Sequence, residues 1–154
     1  MAGLLMLGSV GIAQAIQIDA TITADNYYAV YTGDETAVSF IGRNELNRTG
    51  SSGTYNWSAP ENYSFNAGEY IYIAAWSDAS TTQAWLGEFT LLSGETLLSN
   101  DTDWEVFLTY EDPKYGDGLP APDNASVLAN IIEANNVGWA PIYETRNNGA
   151  QPWG

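Results

Sequence analysis

The sequence predicts an all-β sandwich carrying one late, short α-helix, and three observations lead there. Apolar and polar residues alternate strictly through residues 16–23, the mark of a half-buried strand. Short runs rich in Ile, Val, Tyr, Trp and Phe recur along the chain, separated by Gly, Asn and Asp turns. Helical spacing occurs in one place only, residues 124–135.

Each element follows from its residues. Ile16, Ile18, Ala20 and Ile22 alternate with Gln17, Asp19, Thr21 and Thr23. Ala24-Asp25-Asn26 then reads as a turn, because Asp and Asn side chains close local backbone hydrogen bonds. Residues 27–31 form a second strand, stopped by Thr32-Gly33-Asp34, and residues 38–41 a third. Residues 42–57 read as a long loop: Gly42, Asn44, Asn47, Gly50 and Gly53 do not sustain a ladder. A loop of that length inside a compact domain is usually functional or mobile. Residues 63–65 make a short strand, and Asn66-Ala67-Gly68 turns the chain into residues 70–76. Here Tyr70, Tyr72, Ala74 and Trp76 face one way and Ile71, Ile73 and Ala75 the other. Both faces are apolar, so this strand is expected at the centre of its sheet, covered on both sides. Strands over residues 84–92, 96–98 and 104–109 complete the set. Pro113, Gly116, Gly118, Pro120 and Pro122 mark a loop. Asp123 caps the helix over residues 124–135, with Val127, Leu128, Ile131 and Ile132 on one face, and Gly138 ends it. The expected core is Ile71, Ile73, Trp76, Leu86, Phe89, Trp104 and Val106.

A chain of 154 residues is long enough for one domain with a real core. Four basic against nineteen acidic residues give a net charge of −15. Such a field repels nucleic acid, which needs Lys and Arg to displace its counterions. His and Cys are both absent. That removes thiol nucleophiles, Ser-His-Asp triads, histidine bases, disulfides and ordinary zinc or haem sites. Residues 1–15 are apolar, uncharged and too short to span a bilayer. They end in Ala13-Gln14-Ala15, the small-x-small form of a signal-peptidase site. They are expected to be the remnant of a signal peptide, leaving a mature chain from Ile16 with no membrane insertion.

Two kinds of site are compatible with the remaining residues. Asp25, Asn26, Asp101 and Asp103 sit in turns, where carboxylate and amide oxygens serve a structural calcium ion; the alternative is that these side chains simply close their turns. Carbohydrate recognition uses aromatic platforms with polar side chains beside them. Trp57, Trp85 and Trp139 lie nearest to loops, and Arg43 and Asn44 lie in the long one. The alternative for each Trp is core packing. Trp76 and Trp104 are assigned to the core. A glycosidase pair would need two acids at a set separation across a cleft, and the acids here show no discriminating spacing. The expectation is binding without catalysis.

The order of these pieces resembles a galactose-binding-like jelly-roll module of bacterial exported and surface proteins. The residues that carry the resemblance are Ala24-Asp25-Asn26, Thr32-Gly33-Asp34, Asn56-Trp57, residues 68–78, residues 85–90, residues 93–106 and Pro152-Trp153-Gly154. The similarity is strongest to the sub-group bearing a C-terminal Pro-Glu-Pro sorting signal, and it covers residues 17–154. The family runs on from proline-tryptophan-glycine into a closing strand. The resemblance therefore implies that residues 16–154 form one sandwich lacking that strand. It further implies a secreted or cell-surface module that binds a glycan or matrix polymer. The other reading is a structural protein that self-associates in a surface layer or fibre.

Overall fold

The computed structural model describes residues 16–25, 27–44, 60–76, 84–109 and 120–142. The expected signal remnant, Asn26 and Trp57 lie outside them. In chain order the described elements are β1 (Ile16–Asp25), β2 (Tyr27–Gly33), β3 (Val38–Arg43), β4 (Glu61–Ala67), β5 (Tyr70–Trp76), β6 (Ala84–Leu91), β7 (Thr96–Leu98), β8 (Glu105–Val106), α1 (Asn124–Val137) and β9 (Ala140–Pro141). One sheet has the order β4-β1-β6-β7, a second β3-β2-β5, and β8 pairs with β9. All of these pairings are antiparallel.

The period-two pattern of β1 explains the first layer contact. Ile18, Ala20, Ile22 and Ala24 are buried with Phe65 and Phe89 of the same sheet against Tyr28 and Val30 of β2. The alternate residues of β2, Ala29 and Tyr31, point the other way and pack with Val38 on Val127 and Ile131 of α1. The molecule is thus layered as four-stranded sheet, three-stranded sheet and helix. β2 lies in the middle layer and is buried from Tyr27 to Thr32. The fold is an all-β sandwich with one helix laid on its smaller sheet.

Local chemistry sets the helix ends. Asp123 Oδ1 accepts the Ser126 N–H at 2.7 Å, and Gly138, at φ 109°, donates its N–H to Ala134 O at 2.7 Å. These are the expected N-cap and left-handed C-terminal stop. The helix buries Val127, Ile131 and Ala134, while Ile132 is about half exposed. Among the described residues no helix is long and apolar enough to cross a membrane.

Several expectations are corrected. Among the described residues β5 lies at the edge of its sheet and β2 at the centre. Both strands are apolar on both faces, because a sheet trapped between another sheet and a helix is covered on both sides out to its edge. Of the expected core, Phe89 is fully buried, whereas Ile71, Ile73, Trp76, Leu86, Trp104 and Val106 are half-buried. The buried core is centred instead on β1 and β2. Asp25 is the last residue of β1, paired with Ala84, and the chain there passes from one sheet to the other. Gly42 and Arg43 belong to β3, which bulges so that Val30 faces Gly42 and Tyr31 faces Phe40. The bulge brings Gly42 against the opposite sheet, where a β-carbon on it would lie 2.5 Å from the Tyr63 ring. Within residues 104–109 only Glu105–Val106 is a strand.

Candidate functional site

The register brings Arg43, Asn44 and Trp85 of the expected binding residues to one end of the sandwich. Tyr27 pairs with Trp76, Ala29 with Arg43, Ile22 with Glu61 and Ala24 with Trp85. β1, β3 and β5 end here, and β2, β4 and β6 begin here.

On the helix side of the smaller sheet, Tyr27 stacks on Trp76 with ring centroids 5.6 Å apart and planes 4° from parallel. The Arg43 guanidinium carbon lies 5.6 Å from the centre of the Trp76 ring, a cation–π distance. Asn44 extends the β3 edge: its N–H donates to Tyr28 O and its Oδ1 accepts the Tyr28 N–H, both at 3.2 Å. The Arg43 Nε donates to Asn44 O at 3.3 Å, so the two residues act as one unit.

Between the sheets lies a polar network. Tyr63 donates to Glu61 Oε2 at 2.8 Å. The Tyr28 hydroxyl lies 2.9 Å from the Tyr63 hydroxyl and 3.2 Å from both Glu61 Oε2 and Ile22 O. Two phenol protons serve these contacts. Burial, then the hydrogen bond and charge of its neighbours, pushes the Tyr28 phenol far above its ordinary 10.0. The sequence shows each member, but only the register brings residues 22, 28, 61 and 63 together.

The consequence is an alkaline signature. A raised folded pKa contributes stability that is fully present below the unfolded phenol's value near 10.0 and is lost as pH rises beyond it. The unfolded chain then releases a proton that the folded chain keeps, at about 1.4 kcal/mol per pH unit. Tyr28→Phe is expected to cost about 1–3 kcal/mol at pH 7, since it leaves buried acceptors short of a donor. Above pH 10 that cost should shrink. Urea midpoints of both proteins between neutral and alkaline pH check it, and parallel curves would contradict it.

Trp85 and Trp139 do not share a platform, and Trp57 lies outside the described residues. Trp85 points between the sheets, edge-to-face on Trp104 with centroids 5.0 Å apart and beside Phe89. Trp139 packs on the helix side, where its Nε1 donates to Asn135 Oδ1 at 2.7 Å and its ring meets Phe107 edge-on. Arg43 and Asn44 are together, and their aromatic companions are Tyr27 and Trp76, the latter read as core from the sequence.

The calcium positions are dispersed in role. Asp101 Oδ2 accepts the Leu98 N–H at 2.7 Å and closes the turn before Trp104, while Asp103 is exposed. Asp25 is described through its backbone pairing with Ala84. Among the described residues no three His, Cys, Asp or Glu side chains group as metal ligands. No protein family, curated protein or solved structure gives a significant match to this chain.

Proposed function

We propose that this chain is a non-catalytic, galactose-binding-like module, exported to the cell surface, that works by contact: it assembles with copies of itself. The observation that supports this reading is the outer edge of β5. Among the described residues no strand lies on that edge. The strand reads Tyr70-Ile71-Tyr72-Ile73-Ala74-Ala75-Trp76, with no charge, no proline and an unbroken register against β2. Natural sheets usually guard an edge with charges, proline or bulges, because its unpaired N–H and C=O groups recruit another strand. The opposite edge of the same sheet has such a guard, the β3 bulge.

A second reading, binding of a glycan or matrix polymer, draws support from Arg43, Asn44 and Trp76, which are part-exposed, with buried Tyr27 backing the Trp76 ring. Stacked rings beside a guanidinium and an amide are the groups that sugar rings and hydroxyls engage. A structural calcium ion belongs to the same proposal. Sedimentation velocity across a concentration series, with a glycan array and calorimetry run with and without calcium, tests both. Concentration-dependent association supports assembly. Glycan binding that Trp76→Ala abolishes supports the second reading. A chain that stays monomeric at ~100 μM and retains no glycan refutes both, since contacts weaker than that are worth only about 5 kcal/mol. Release of reducing sugar would refute the non-catalytic reading.

A further inference from the structure

We infer that the edge of β5 pairs with β5 of a second copy, antiparallel and centred on Ile73, so that two three-stranded sheets join across a two-fold axis. This rests on the assembly reading and specifies its interface.

The backbone sets the direction of the free groups. The Tyr70 carbonyl is turned toward β2, where Thr32 Oγ1 donates to it at 3.0 Å. N–H and C=O of one residue point to the same side of a strand, and successive residues alternate. Tyr70, Tyr72 and Ala74 therefore bond to β2, and Ile71, Ile73 and Ala75 direct their groups outward. An antiparallel copy centred on Ile73 sets Ile73 opposite Ile73 and Ile71 opposite Ala75. All three outward residues then meet outward residues, for roughly six new backbone hydrogen bonds. A shift of one residue would face outward groups with groups already bonded to β2.

Charge selects the same arrangement. Asp34, Glu35 and Glu69 surround the Tyr70 end of β5: the charge of Glu69 foremost raises the Tyr70 phenol, and burial first, then Tyr70 and these carboxylates, raises that of Tyr72. Arg43 lies over Trp76 at the other end. A parallel pairing would place acid beside acid. The two-fold axis instead sets each acidic end beside the other copy's Arg43 end, as a self-complementary interface requires. The side chains suit the contact too: Ala74 and Ala75 are small, and they would stand opposite Tyr72 and Ile71 of the other copy. The charge of −15 on each copy opposes association at long range. The measurement therefore belongs at about 0.15 M salt or above, where the screening length is about 8 Å or less.

The chain has no cysteine, so single cysteines report the register directly. Residues directly opposite in a hydrogen-bonded antiparallel pair have Cα atoms about 5.5 Å apart, within reach of a disulfide. Ile73→Cys should thus form a covalent dimer on mild oxidation. Ala75→Cys should not, because its two copies would lie four residues out of step, ~13 Å apart. Ala75→Pro removes one outward N–H from each copy without touching the β2 ladder. It should weaken the dimer roughly tenfold or more in sedimentation while leaving the melting temperature nearly unchanged. Equal cross-linking of the two cysteine variants, with circular dichroism showing both folded, would overturn the register. Self-association unaffected by Ala75→Pro would overturn this interface and leave the assembly reading standing. A wild-type chain that is monomeric throughout would remove both.

Discussion

Replacing Phe89 with alanine is expected to destabilise the fold by about 3–5 kcal/mol, the cost of emptying a large core site. Phe89 is 0 % exposed. It stands on β6 between Ala20 of β1 and Leu97 of β7. Its ring lies 6.4 Å from that of Trp85 and 5.3 Å from that of Trp104. Trp104 is held by its Nε1 bond to Leu98 O at 2.9 Å, and Trp85 packs edge-to-face on Trp104. Neither is free to swing into the vacated space, so the cavity should persist, and persistence sets the upper part of the range. Trp104→Ala should cost less, because Trp104 is only half-buried. Urea denaturation checks the ranking: the Phe89→Ala midpoint should fall further at similar slope. A larger effect at Trp104 would move the centre of the core toward β7 and β8.

That ranking reverses the emphasis that the sequence alone suggests, for a physical reason. Period-two patterning reports whether a residue is covered, not which strand covers it. It located eight of the nine described strands, Tyr70–Trp76 without error at either end, and missed β9 (Ala140–Pro141), which is too short to carry a period. It also located the Asp123 cap and the Gly138 stop, because those signals are local. It could not rank Tyr27–Tyr31 against Tyr70–Trp76. Both runs are apolar on alternate faces, and sheet order depends on partners distant in sequence. The candidate site divides the same way. Arg43 and Asn44 are neighbours in sequence and remain neighbours in space. Trp85 and Trp139 look equivalent beside their loops, yet they pack on opposite sides of the smaller sheet. The same blind spot hid the β5 edge, on which no described strand lies, because that is a property of pairing and leaves no mark on composition.

Gly68→Ala is expected to reach the upper end of the roughly 1–3 kcal/mol typical of overpacking, although Gly68 is exposed. The turn at Gly68 carries the chain from β4 in one sheet to β5 in the other. A β-carbon there would lie 2.8 Å from both the Cα and the carbonyl oxygen of Gly33, and 3.0 Å from its nitrogen. These are backbone atoms, so no rotamer relieves the contact. Gly33 is itself crowded: a β-carbon there would meet the Ala37 carbonyl and, at 2.8 Å, the Val38 Cα. The crossing is pinned by Thr32, whose Oγ1 accepts the Gly68 N–H at 2.7 Å and donates to Tyr70 O. Gly33→Ala should be at least as damaging, because its β-carbon would meet the Ala37 carbonyl and the Val38 Cα, and the double variant should depart from the sum of the two, since Gly68 packs directly on Gly33. Gly94 supplies the control. Its φ of +89° is left-handed, but nothing lies within 4 Å of its added β-carbon. Asparagine, which tolerates that region, should therefore be accepted there with a small effect. Thermal unfolding of the four variants distinguishes crowding from backbone strain. A Gly68→Ala protein as stable as wild type would mean that the two turns stand further apart than the close packing of Gly33 on Gly68 requires. The anchoring of β5, and with it the position of its open edge, would then lose its support.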